Sequence, residues 1–187
     1  MVTTSRLHTA EDLWRMPGDE PWEIWNGELR RVPGSGDRAT RTALAIGASL
    51  FAYERQTDLG IATSSDGSFV LSTHPDTVVI PDAAFVRWER IPDHHDPAKY
   101  FPVAPDLAVE VQSPTDEPKE MASKRELYAK AGVPLVCWVD PVKRTVSVYH
   151  DGELAALLTE AGVLDGGEVL PRLRIAVADI FPRSRPR

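Results

Sequence analysis

Sixteen prolines and twelve glycines are scattered along this chain of 187 residues, and that punctuation constrains the fold more than any other feature. Proline stops helices and both residues favour turns, so the elements between them must be short and numerous. Two stretches nonetheless read as long helices. Over 37–57, Ala43, Leu44, Ile46, Ala48, Leu50 and Phe51 predict a helix with one wide apolar face. The second spans 117–131 and has Gly132 in the stop position. Thr9-Ala10-Glu11-Asp12 has the form of a capping box, opening a short helix that Pro17 and Gly18 end. Asn26-Gly27, flanked by 22–25 and 28–32, is a strong hairpin signal.

The remaining apolar pieces read as strands: 60–62, 69–71, 77–80, 83–87, 106–112, 135–139, 145–149 and 153–158. Asp66-Gly67 and Asp151-Gly152 mark turns between them. Residues 88–102 hold three prolines and Asp93-His94-His95-Asp96, which reads as a surface loop. The tail, 181–187, reads as frayed. Few helices separated by groups of strands predict an α/β (α+β) domain, a mixed central sheet flanked by helices. At this length one domain over 1–187 is expected, with its core over about 9–181.

The net charge of −7, with a pI near 5.2, argues against a protein that coats nucleic acid through a broad basic field. It leaves room for an enzyme that meets phosphate through a bound cation, because carboxylates holding Mg²⁺ are electropositive in use. No apolar run approaches the roughly 20 residues of a bilayer span. The first ten residues lack the apolar core of a secretory signal. Cys137 is the single cysteine, which rules out an intrachain disulfide framework and suits a reducing, cytoplasmic setting.

Three polar positions stand where packing alone would not put them. Asp82 follows Pro81 between two apolar runs. Glu110 interrupts Leu107-Ala108-Val109-Glu110-Val111, and strand alternation puts it on one face with Gln112. A carboxylate there is costly unless it is paired or bound to a cation. An ion held by Asp82, Glu110 and the main-chain carbonyl of Val111 would remove the cost, and an all-oxygen set suits Mg²⁺ or Mn²⁺. The plainer alternative is a solvated strand end for Glu110 and an ordinary turn for Asp82. Glu120, Lys124 and Tyr128 fall on one helical face. Lys124 is then either half of an exposed Glu-to-Lys pair or an ammonium delivered beside the ion, where it would orient water or offset phosphate charge.

Pro81-Asp82 followed by Asp106-Leu107-Ala108-Val109-Glu110-Val111-Gln112-Ser113-Pro114-Thr115-Asp116 resembles the core of the PD-(D/E)xK nuclease superfamily. Lys124-Arg125-Glu126-Leu127-Tyr128-Ala129-Lys130-Ala131-Gly132-Val133-Pro134, with Trp138-Val139-Asp140-Pro141 and the earlier Trp22-Glu23-Ile24-Trp25-Asn26-Gly27-Glu28-Leu29, is similar to the Uma-two family of restriction endonucleases. The likeness runs from Thr9 to Phe181. It implies a restriction-endonuclease-like fold and a DNA-cleaving hydrolase dependent on Mg²⁺ or Mn²⁺. Asp82 and Glu110 would be metal ligands, Lys124 would be the motif lysine moved from strand to helix, and Gln112 would occupy the usual lysine slot. Glu23 matches an acidic position of the family's first hairpin. Two departures accompany the likeness: Leu135-Val136-Cys137 replaces the family's Glu-Tyr-Trp, and the first long helix lacks an opening histidine.

Weaker candidates include His94 and His95, adjacent loop residues that rarely converge on one ion. Ser113 lacks a nucleophile elbow, Cys137 reads as a buried small hydrophobe, and the five tryptophans read as packing groups. DNA is the expected partner and a homodimer is compatible with double-strand cleavage. The competing reading is an inactive interaction or regulatory module on the same scaffold.

Overall fold

The computed structural model describes residues 6–18 and 20–182. Its elements run in this order: α1 (Ala10–Trp14), β1 (Trp22–Trp25), β2 (Glu28–Arg31), α2 (Asp37–Thr57), β3 (Gly60–Ser64), β4 (Phe69–Ser72), β5 (Thr77–Val79), β6 (Ala83–Arg87), β7 (Leu107–Val111), α3 (Pro118–Lys130), β8 (Leu135–Asp140), β9 (Thr145–His150), β10 (Glu153–Leu158), β11 (Val163–Asp165), β12 (Arg174–Ala176) and α4 (Val177–Ile180). The capping box is present, with Thr9 and Asp12 bonding reciprocally. The β1–β2 turn places Asn26 and Gly27 at positive φ, the conformation that this pair tolerates.

Six strands form the main sheet in the order β10-β9-β8-β7-β6-β3. Its centre is the parallel pair β7 and β8, joined through α3, while its other neighbours run antiparallel. Strand alternation sorts the interior into two layers. Val109, Val111, Cys137, Val139, Ala83 and Phe85 face α2, whereas Ala108, Val136, Trp138, Ala84 and Val86 share the other layer with Tyr128 of α3. Glu110 has the parity of Ala108, so it points into the α3 side.

A second sheet, β2-β1-β5-β4, lies upstream. It packs its own small cluster of Leu13, Ile24 and Val78, and it joins the α3-side layer through Phe69 and Val79. Residues 80–82 carry the chain from β5 of this sheet to β6 of the main one.

The helix α2 has the expected bounds but a narrower inner face than expected. Ile46, Leu50 and Tyr53 are buried, whereas Leu44 and Phe51 lie on its open side, 70% and 57% exposed. The loop 88–102 is less superficial than its composition implies: Phe101 stacks on buried Phe69 with ring centroids 4.7 Å apart. The C-terminal segment adds a β11–β12 hairpin and α4, which place Leu164, Leu170, Ile175 and Ile180 over α2. Phe181 is buried there rather than frayed, and 183–187 lie outside the described residues. No helix among the described residues is long and apolar enough to cross a membrane.

Candidate active site

The pairing Ala83↔Val109 fixes the position of the two acids. One step further along the antiparallel ladder, residue 82 stands opposite residue 110, and directly opposed side chains have Cβ atoms roughly 5 Å apart. Asp82 and Glu110 therefore meet on one face from separate segments, and both line one cavity of about 170 Å³. The main-chain N–H of Val111 donates to Asp82 Oδ2 at 2.7 Å, which locks the aspartate against β7. Val111, the third ligand of the sequence reading, lines the same cavity.

Lys124 comes from α3. Its Nζ lies 2.8 Å from Glu110 Oε1 and 2.8 Å from Glu23 Oε1, so it is not half of an exposed pair with Glu120. Glu120 instead lies 3.6 Å from Arg30. One helical turn beyond Lys124, the Tyr128 hydroxyl donates to the same Glu110 oxygen at 2.5 Å. Glu23 is 3% exposed and is held by Trp25 Nε1 on Oε2 (2.7 Å) and by Ile80 N–H on Oε1 (2.8 Å).

Two carboxylates thus contact one buried ammonium, with Asp82 lying within range of its charge. Burial, reinforced by the charges of Asp82 and Glu23, outweighs Lys124 and pushes the Glu110 carboxyl up to about 8. Burial also raises Asp82, against the opposing pull of the Val111 N–H and Lys124. For Lys124, burial favours the neutral form, but Glu110 and Glu23 prevail and keep it protonated. Tyr128 is held far above the ordinary phenol range by burial and by Glu110, so it acts as a donor.

The donor set fits a hard divalent cation. Asp82 and Glu110 each keep one oxygen without a hydrogen-bond partner among the described residues, and a cation there would take the place of the proton that burial keeps on Glu110. No group of three or more His, Cys, Asp or Glu residues is arranged around one point among the described residues. Mg²⁺ needs no such group, since it is commonly held by one or two carboxylates, with water and substrate phosphate completing the shell.

Gln112 departs from expectation. The strand ends at Val111, the Gln112 N–H bonds the Val139 carbonyl at 2.8 Å, and the residue lines a separate hollow with Asp37, Arg38 and Pro141. Alternation puts 110 and 112 on one face only while a strand continues, and here it has stopped. His95 stacks near Phe101 at 5.7 Å, which makes the loop histidine a packing group. Cys137 is fully buried, and that burial pushes its thiol up to about 12.

The rim holds two groups that sequence reading missed, Arg30 and Arg31 of β2, and the Ser113–Thr115 turn also opens onto the cavity. The Arg30 guanidinium lies 5.4 Å from the centroid of the Trp25 ring. Arg30 pairs with Glu23 across the hairpin register, so the Asn26-Gly27 signal, followed through its alternation, would have marked it.

A family model described as "Uma2: Putative restriction endonuclease" matches residues 10–178. Among solved structures the chain is similar to one described as "a putative nuclease belonging to DUF820 from Anabaena variabilis", with a TM-score of 0.77 at 17% identity, covering 92% of this chain and 97% of that one. At that identity the likeness shows a shared fold. No curated protein matches the chain.

Proposed function

Because the chain belongs to the Uma2 family, we propose that it is a metal-dependent endodeoxyribonuclease that hydrolyses phosphodiester bonds in DNA. The observation that carries this reading is the meeting of Asp82 and Glu110 across the β6–β7 ladder, with the Lys124 ammonium on Glu110.

Asp82 and Glu110 would hold Mg²⁺ or Mn²⁺ through their free oxygens. When bound, such an ion supplies Lewis-acid stabilisation of phosphoryl charge and a more acidic water. Lys124, itself largely buried, offsets charge that builds on the phosphate. Tyr128 donates to Glu110 and fixes the orientation of its carboxylate. Arg30 and Arg31 stand at the rim, where a DNA backbone would pass.

The test is conversion of supercoiled plasmid with Mg²⁺ or Mn²⁺. Nicked or linear product is expected from the wild type, with none above background from Asp82→Ala or Glu110→Ala. Lys124→Ala is expected to lose about 100-fold in rate, the usual cost of removing one charge-stabilising group. No cleavage by the wild type, or equal cutting by Asp82→Ala, overturns the reading.

One observation favours a second reading, an inactive module on the nuclease scaffold: Gln112, the residue in the usual lysine slot, lies outside the cavity. Calorimetric titration with Mn²⁺ separates the two. The nuclease binds one ion at a site lost in Glu110→Ala, and the module binds none.

A further inference from the structure

Glu23 matches an acidic position of the resembled family, where the simplest assignment would be one more acid on the ion. Its surroundings say otherwise. Oε1 already accepts from the Lys124 ammonium and from the Ile80 N–H, both at 2.8 Å, and Oε2 accepts from Trp25 Nε1 at 2.7 Å. A carboxylate offers about four lone-pair sites, and three of them are engaged here by donors. The Lys124 ammonium also bridges Glu23 and Glu110. A divalent ion approaching Glu23 from the Glu110 side would meet that positive charge first.

The sequence explains why Glu23 is so fully held. In β1, Glu23 and Trp25 lie two residues apart and share a face, which brings the indole N–H to the carboxylate. The opposite face of the strand, with Ile24, packs into the small sheet's own core. Glu23 is therefore fixed by its strand, by the next strand's exit at Ile80, and by Trp25, before Lys124 is added.

We propose that Glu23 is a positioning residue that anchors Lys124, and that the small sheet is thereby part of the catalytic apparatus. This rests on the nuclease reading above. Once an ion draws on Glu110, Glu23 is the carboxylate that still holds the ammonium in place. Without it Lys124 would settle wholly on Glu110 and compete with the ion for that ligand.

Two readouts test the proposal in the full chain. The first is reductive methylation of the metal-free protein, followed residue by residue by mass spectrometry. Lys124, held between two carboxylates, is expected to react slowly in the wild type and severalfold faster in Glu23→Gln, where one of those contacts is weakened. The second is plasmid nicking with Mn²⁺ titrated to saturation. Glu23→Gln is expected to lose at least about tenfold in kcat with KM for DNA nearly unchanged, while calorimetry still finds one Mn²⁺ site. Trp25→Phe, which removes only the Oε2 hydrogen bond, should move both readouts in the same direction and by less.

Loss of the Mn²⁺ site in Glu23→Gln, as in Glu110→Ala, would make Glu23 a ligand and overturn the proposal. Unchanged Lys124 reactivity in both variants would overturn it as well. If the wild type never cleaves DNA, the nuclease reading fails, and methylation still decides whether Glu23 anchors Lys124.

Discussion

Glu110 accepts from both the Lys124 ammonium and the Tyr128 hydroxyl through one oxygen, and its carboxyl is nonetheless pushed up to about 8. The consequence for stability has a definite sign. The unfolded chain releases this proton near the ordinary value of 4.5, whereas the metal-free folded protein keeps it to about 8. The folded state therefore binds more protons between those values, and stability falls as pH rises through them. Thermal melts of metal-free protein from about pH 5 to about pH 8 should show this decline, and Glu110→Gln should flatten it. Mn²⁺ affinity should move oppositely, rising with pH until Glu110 is ionised, because the ion must displace that proton. Tyr128→Phe tests the hydroxyl separately: it removes a donor to a buried carboxylate and should cost roughly 1–3 kcal/mol.

At the scale of elements, β6 and β3 decide whether Asp82 is presented at all. Gly60 opens β3 opposite Arg87, and any Cβ there would collide with the backbone carbonyl of Val86. Gly60→Ala should cost roughly 2 kcal/mol or more, since neither strand can retreat without breaking the ladder. A shifted denaturation midpoint at unchanged slope would register it. These elements were largely legible in the sequence. The Asn26-Gly27 hairpin, the bounds of α2 and the strand bearing Glu110 follow from turn chemistry and periodicity. Glu110 stood out as a charge inside an apolar strand, whereas Asp82 and Lys124 were singled out by the family resemblance rather than by local pattern. Other features were not. Which side of α2 turns inward depends on what covers it, and the β11–β12 hairpin offers only three residues per strand with a single buried position in each. Gln112 was misplaced because periodicity cannot say where a strand stops. The partner of Glu23 was invisible, since it comes from a helix about a hundred residues downstream, and local signals say nothing of such contacts.

Across the whole molecule, a net charge of −7 repels a polyanion, and the rim arginines are already committed to acids. Arg31 pairs with Glu20 at 2.7 Å, and Arg30 lies 3.3 Å from Glu28. Few phosphate contacts are then available, so DNA binding should weaken only gently with salt, with a log–log slope no steeper than about −3. Arg30→Ala and Arg31→Ala should raise KM for DNA while leaving kcat unchanged, which filter binding and nicking rates would separate. The seam between the sheets has a different consequence. Residues 80–82 are the short joint between β5 and β6, so Asp82 at one end of the joint and Glu23 beside Ile80 both follow any tilt of the small sheet. Heat that merely unseats this sheet would misalign both acids while the six-stranded core stays intact. Catalytic inactivation should accordingly set in several degrees below the cooperative melting transition and reverse on cooling, as an assay run alongside circular dichroism would reveal.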